Sequence, residues 1–155
     1  MRITVINGTE VKGCTYHIKE AFMKDLRQGN LITEFYLPKD LPHFCKGCKQ
    51  CFFKDEALCP HADYTMPIWE AILEADLLVF AAPVYALRAP AQMKALLDHL
   101  CSHWLVHRPE EEMFTKQAMI LTNRIGAHPT RVHRSISRQA SIGWGFPMCA
   151  PWALD

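Results

Sequence analysis

Four cysteines fall within fifteen residues: Cys45, Cys48, Cys51 and Cys59, spaced Cys-x2-Cys-x2-Cys-x7-Cys, with Pro60 directly after the last. Three thiols at two-residue gaps, joined by a fourth a short reach away, can converge on one object the size of an iron–sulfur cubane. A close triplet followed by Cys-Pro is a pattern that such clusters use. Gly47, between the first two, permits a tight loop that turns the thiols inward. Lys46, Lys49 and Lys54 offset the negative charge of a thiolate-held cluster. Zinc more often takes two Cys-x2-Cys pairs separated by a longer stretch, and a Cys45/Cys48 redox dithiol would usually open a helix directly. The residues leave three readings open: a four-iron cluster, bare reduced thiols, and zinc or dithiol chemistry.

A second set of polar residues lies on three loops. In Asn7-Gly8-Thr9-Glu10-Val11-Lys12-Gly13-Cys14-Thr15 a turn runs straight into a helix start. The hydroxyls of Thr9 and Thr15, free backbone N–H groups and Lys12 could hold a phosphate against the positive end of that helix. The loop matches neither the Walker A pattern nor Gly-x-Gly-x-x-Gly, and a plain turn with a threonine cap explains it as well. Pro83-Val84-Tyr85-Ala86-Leu87-Arg88-Ala89-Pro90 offers main-chain N–H groups and an aromatic beside a rigid turn, where a flat heterocycle could stack. Thr122-Asn123-Arg124-Ile125-Gly126 could add polar contacts to the same ring. His99, His103 and His107 repeat every four residues and share one helical stripe. They lack a His-Glu-x-x-His arrangement, so packing or a subunit interface explains them better than a metal.

The elements that must position these loops follow from the hydrophobic pattern. Arg2 to Asn7 is a β-branched run that ends at a turn. From Gly13 the spacing becomes helical, placing Ile18, Ala21, Phe22 and Leu26 on one face, with Lys19, Glu20, Lys24 and Asp25 outside it. Leu31 to Leu37 reads as a second strand, and Pro67 lies near the start of a helix through Ile68, Ala71, Ile72 and Ala75. Leu77 to Ala82 is apolar on both sides, as a central parallel strand should be. A long helix is expected from about Pro90 to Val106, then a fourth strand from Ala118 to Thr122. Strands alternating with helices predict a doubly wound parallel α/β sheet. A fifth strand is hard to find.

Residues 113 to 154 contain no Asp or Glu, whereas residues 1 to 112 contain fifteen. The segment 127–155 therefore reads as an atypical C-terminal tail, either truncated or frame-shifted, or an irregular basic cover for the sheet edge. The organisation expected is one domain over 1–126, with a cysteine-rich insertion at 43–62. Net charge over the 155 residues is +1, which gives no electrostatic case for nucleic acid or an anionic membrane. No apolar run reaches the length needed to span a bilayer, and Met1 to Gly8 reads as a strand and turn rather than a signal peptide. Seven cysteines in that setting suggest a reducing compartment, the cytoplasm. Cys14, Cys101 and Cys149 look unrelated to the cluster of four.

Asn-Gly-Thr followed by Lys-Gly-Cys-Thr resembles the phosphate loop of the flavodoxin-like NAD(P)H-dependent FMN reductases. Glu74-Ala75-Asp76, Ala82-Pro83-Val84-Tyr85 and Ala91-Gln92-Met93-Lys94-Ala95-Leu96-Leu97-Asp98 resemble the most recognisable stretch of that family. The cysteines between the second strand and second helix resemble its iron–sulfur flavoprotein branch. The resemblance runs from residue 1 to about 126. It implies a flavodoxin-like fold, three layers α/β/α with strand order 2-1-3-4, and bound FMN, with the phosphate on Thr9, Lys12, Cys14 and Thr15. The ring would lie against Pro83, Val84, Tyr85, Ala86 and Leu87 and against Thr122, Asn123 and Gly126. It further implies NAD(P)H as co-substrate, electrons passing to a small-molecule acceptor or to a 4Fe-4S cluster on Cys45, Cys48, Cys51 and Cys59, and a homodimer or higher homo-oligomer. The competing class is an electron carrier without NAD(P)H turnover. Flavin supplies the redox chemistry in this family, so no catalytic side chain is expected. Where the family often has Ser-Pro-Arg, this chain has Thr9-Glu10-Val11, so an arginine contact to the phosphate is missing.

Overall fold

The computed structural model describes residues 1–105 and 110–124. In chain order the elements are β1 (Arg2–Asn7), α1 (Cys14–Leu26), β2 (Leu31–Tyr36), the one-turn α2 (Gln50–Phe53), α3 (Ala62–Glu74), β3 (Leu77–Pro83), α4 (Ala91–Leu100), the short α5 (Ser102–Leu105) and β4 (Gln117–Asn123). The strands form one sheet in the order β2-β1-β3-β4, parallel throughout, as the alternation of strands and helices predicted. The expected fifth strand and the tail at 127–155 fall outside the described residues.

β1 and β3 are central and buried on both faces, which is why their sequences run apolar rather than alternating. On one face Ile6, Leu78, Phe80 and Ala82 pack against Ile68, Trp69 and Ile72 of α3 and Met93, Leu96 and Leu100 of α4. On the other, Ile3, Val5 and Val79 meet Met23 of α1, with Phe22 and Leu26 partly buried beside them. Burying these side chains, about 1.5–3 kcal/mol each, holds the two helical layers to the sheet. The result is the α/β/α arrangement that lets β1, β3 and β4 deliver their loops to one edge.

Three local expectations are corrected. The buried residues of α1 are Thr15, Lys19 and Met23, while Ile18 and Ala21 are exposed. The helix is turned because Lys19, with no exposed surface, meets Glu20 and, at 3.0 Å, Glu34 of β2. A buried ammonium is tolerated only when paired, and Glu34 also takes contacts from Arg27 and the Tyr36 hydroxyl. Next, α3 begins a turn before Pro67, because the N–H groups of Tyr64 and Thr65 donate to the His61 carbonyl. Pro67 therefore lies inside the helix and forgoes one backbone bond. Finally, the long helix expected from Pro90 to Val106 breaks at Cys101 into α4 and α5, and His103 stacks on Trp69 of α3 at a centroid distance of 3.6 Å.

Two connections fix the lower edge of the sheet. Asp76 Oδ2 accepts from the Arg2 N–H at 2.7 Å. The Lys116 ammonium, buried before β4, donates to the carbonyls of Leu73 and Ala75 at the end of α3. Among the described residues no helix is long and apolar enough to cross a membrane.

Candidate functional site

The C-terminal ends of β1, β3 and β4 lie side by side, and the loops that leave them form a crevice of the kind in which α/β sheets bind ligands. Gly8, just past β1, donates its N–H to the Ala81 carbonyl at 2.7 Å. A Cβ on Gly8 would sit 2.8 Å from the Ala82 Cβ and 3.1 Å from the Met93 Cε, so this close approach of β1, β3 and α4 requires glycine. The chain then turns: Thr9 Oγ1 accepts from the Val11 N–H at 3.1 Å, and the Gly13 N–H donates to the Val11 carbonyl. This delivers Gly13 in an extended conformation to the start of α1, where no side chain caps the helix and the first turn carries no acidic residue. The leading N–H groups of a thirteen-residue helix thus keep their anion-binding capacity. Lys12 is exposed, its Nζ 5.6 Å from the centre of the Tyr16 ring. Cys14 is exposed and Thr15 is buried at the same helix start.

Past β3, Tyr85 and Arg88 exchange two backbone hydrogen bonds, of 3.0 and 2.9 Å, across a two-residue turn. Its central residues, Ala86 (φ +48°) and Leu87 (φ +62°), both adopt left-handed backbone. Such turns favour Asn-Gly or Gly-Gly; alanine and leucine there hold strain on the order of 1–3 kcal/mol each, a mark of functional loops. The turn sets Tyr85 and Leu87, 50% and 70% exposed, beside the crevice. One expectation changes here. The Val84 N–H donates to the Asn123 carbonyl at 2.9 Å, so it ties the second loop to the third rather than facing a ligand. Pro83 and Val84 are half-buried. Thr122, paired in register with Ala82, has a buried hydroxyl with no partner among the described residues. A buried hydroxyl left unpaired costs about 1–3 kcal/mol, a cost that a ligand's polar edge would remove. Asn123 is half-buried at the end of β4, and Gly126 lies outside the described residues.

The insertion after β2 gathers its four cysteines as the spacing implied. Cys45, Cys48, Cys51 and Cys59 line one small pocket with Phe52, Pro60, His61 and His99. Left-handed backbone at Gly47 (φ +66°) and Lys49 (φ +60°) makes the two reversals. α2 then carries Cys51, and Asp55 caps the following turn by accepting from the Ala57 N–H at 2.8 Å. Burial pushes the Cys59 thiol up; the His61 backbone N–H pulls it down, and the neighbouring Cys51, Cys48 and Cys45 push it further up. That mutual influence records four sulfurs in one small space, and they suit a thiolate-ligated cluster.

Two residues that the sequence analysis set apart, His99 and Cys101, bear on this pocket, together with His61 and His43, which it did not single out. His61 and His99, only 6% and 7% exposed, meet at 2.9 Å between Nδ1 and Nε2. His43 stacks on His61 at 4.6 Å. Burial, with His99 and His43 alongside, lowers the His61 pKa. Burial first, then the charges of Cys45 and Cys51, push the Cys101 thiol up to about 11, although Cys101 is not among the residues that line the pocket. The sequence carried one usable signal, a His-x-Cys pair at the end of α4. The stripe of His99 and His103 divides, with His99 in this pocket and His103 on Trp69; His107 lies outside the described residues.

α4 links the two regions. Met93 touches the Gly8 position and His99 lines the cysteine pocket, six residues or about 9 Å along the helix axis.

The parallel sheet, the uncapped helix start after its first strand and the crevice of three loops define a flavodoxin-like α/β protein. The chain belongs to the NADPH-dependent FMN reductase family, whose model it matches over residues 1–149. It is similar to an iron–sulfur flavoprotein of Methanosarcina thermophila, 30% identical over 129 residues that cover 82% of this chain and 61% of the relative. An iron–sulfur flavoprotein of Archaeoglobus fulgidus is 29% identical over 108 residues, 69% of this chain and 47% of that one. The chain thus spans roughly half to three-fifths of the length of these curated relatives. Among solved structures, an FMN-dependent NADH-azoreductase from Bacillus anthracis in complex with FMN superposes with a TM-score of 0.70 at 10% identity, over 93% of this chain and 82% of that one. The Trp repressor binding protein of Bacillus subtilis does so with a TM-score of 0.63 at 23% identity, over 93% and 81%. At these identities the structural likeness establishes the fold.

Proposed function

We propose that this chain binds FMN in the crevice above β1, β3 and β4 and works as an NAD(P)H-dependent oxidoreductase for a small-molecule electron acceptor. The observation that carries this reading is the start of α1: a full-length helix without a side-chain cap or acidic first turn, beside Lys12, at the C-terminal edge of a parallel sheet. The orphaned Thr122 hydroxyl and the strained Ala86-Leu87 turn support a ring seated next to it. The family match and the FMN bound in the structurally similar azoreductase support the choice of flavin.

In this reading Thr9, Lys12, Cys14 and Thr15 hold the phosphate. The backbone N–H groups supply fixed dipoles, and Lys12 supplies the charge that elsewhere in the family comes from arginine. Pro83 to Leu87 form one wall for the ring, with Tyr85 and Leu87 excluding water, and Thr122 and Asn123 face its polar edge. Held by these residues, FMN would supply hydride acceptance from NAD(P)H and one- or two-electron transfer to the acceptor. The chain's own task is to bind, orient and shield, so no side chain acts as acid or base. Cys45, Cys48, Cys51 and Cys59 would hold a four-iron cluster that supplies one-electron transfer. We further propose a homodimer in the cytoplasm, on the family resemblance and on seven cysteines that suit a reducing compartment.

The cysteine pocket favours a second reading, an electron carrier without pyridine-nucleotide turnover. Steady-state NAD(P)H oxidation by FMN-loaded protein separates the two. The enzyme reading expects sustained turnover with a quinone or azo dye as acceptor; a single stoichiometric reduction, or none, leaves the carrier.

A further inference from the structure

Behind the four cysteines lies a second set of donors. Cys59 Sγ, His61 Nδ1 and His99 Nε2 all lie within 4.8 Å of one another, and both imidazoles are more than nine-tenths buried. We propose that Cys59, His61 and His99 form a mononuclear site for a borderline divalent cation, Zn2+ foremost, with a fourth position open to a neighbouring thiolate or water.

The orientation of His99 is the key observation. Its Nδ1 lies 2.8 Å from the Ala95 carbonyl. A carbonyl only accepts, so Nδ1 carries the proton and Nε2 presents its lone pair. Metal-bound imidazoles are held in this way, by donating the far N–H to a carbonyl or carboxylate. His61 Nδ1 then donates to His99 Nε2 across 2.9 Å. Moving that one proton to the other nitrogen of His61 frees both facing lone pairs, each nitrogen within 4.8 Å of Cys59 Sγ, and a small in-plane tilt of the rings would direct both to one ion. The His43 ring stacked on His61 holds its plane while this happens.

The distances suit a tetrahedral ion. Bonds of about 2.0–2.1 Å to nitrogen and 2.3 Å to sulfur place donors roughly 3.3–3.7 Å apart, so the nitrogens must separate slightly and the sulfur must close in. Imidazole with thiolate is a donor set for Zn2+, and it also accepts Co2+. Binding releases the Cys59 thiol proton. Cys51, which lines the same pocket as Cys59, His61 and His99, is the natural fourth ligand. Cys59 cannot be a terminal ligand of this ion and of a four-iron cluster together, so the two occupants exclude each other. The pocket then has two metal states that share one sulfur.

The site is independent of the flavin reading, and its test uses no flavin signal. The full chain, purified without oxygen and stripped with chelator, is titrated with Co2+ and followed by its d–d and thiolate charge-transfer absorption. We expect tetrahedral cobalt at one per chain, displaced by Zn2+. Cys45→Ser should bind as the parent does, whereas His99→Ala and His61→Ala should each weaken binding by about 100-fold or more. Parent-like binding by both histidine variants, or loss of binding in Cys45→Ser, overturns the proposal in favour of a cysteine-only site. X-ray absorption at the zinc edge of the parent protein gives the same decision without a variant. Two nitrogens with one or two sulfurs supports the site, and four sulfurs rejects it.

Discussion

Ala86 and Leu87 hold left-handed backbone that glycine would adopt without strain. If that strain shapes the wall of the crevice, Leu87→Gly should raise stability by up to about 1 kcal/mol while weakening FMN binding. Thermal unfolding and a flavin titration on the same protein check both halves. Glu34 carries a pH signature. Burial alone would raise its carboxyl, but hydrogen bonds from Tyr36, Arg27 and Lys19 prevail and hold it at about 2, against 4.5 unpaired. A depressed folded-state pKa contributes stability that is fully present above pH 4.5 and is lost as pH falls toward 2. Urea midpoints should therefore fall steeply across that window, and less steeply in Glu34→Gln. At this scale the sequence spoke unevenly. Thr9 and Lys12 were legible because a turn after a β-branched run announces the loop. The His61–His99 pair was not, since 38 residues separate its members and only folding brings α4 against the start of α3.

At the level of elements, α1 shows where pattern reasoning falls short. Periodicity chose a face of apolar residues, yet the helix buries Lys19 because Glu34 on β2 and Glu20 beside it make an ionic seat. No count of apolar residues on one strand of sequence contains that long-range pairing. Lys19→Met leaves the carboxylates of that seat without their buried cation and should destabilise by about 2–4 kcal/mol. Adding Glu34→Gln should recover much of the loss, a coupling that chemical denaturation of the double-mutant cycle reads. Gly8 is the point where β1, β3 and α4 touch. Gly8→Ala drives a Cβ to within 2.8 Å of the Ala82 Cβ and should cost about 1–3 kcal/mol, visible as a lowered Tm with impaired FMN retention. The strands themselves were well marked, because a buried parallel sheet demands β-branched apolar runs that stand out against the polar loops.

For the whole molecule, the parallel α/β build followed from the alternation of strands and helices, since a parallel sheet must return each strand through a crossover helix. The strand order came instead from the family resemblance, because alternation alone allows more than one order. The meeting of the cysteine insertion with α4 did not follow, because an insertion's placement depends on packing and no periodicity encodes it. The account of the molecule rests on FMN being held at the start of α1. Titrating the flavin-free chain with FMN, followed by flavin fluorescence, tests that most directly. Saturation at one FMN per chain is predicted, weakened about 10- to 100-fold in Lys12→Ala through loss of a charge-assisted phosphate contact. A parent protein that never saturates, or a Lys12→Ala variant that binds as tightly as the parent, would contradict it.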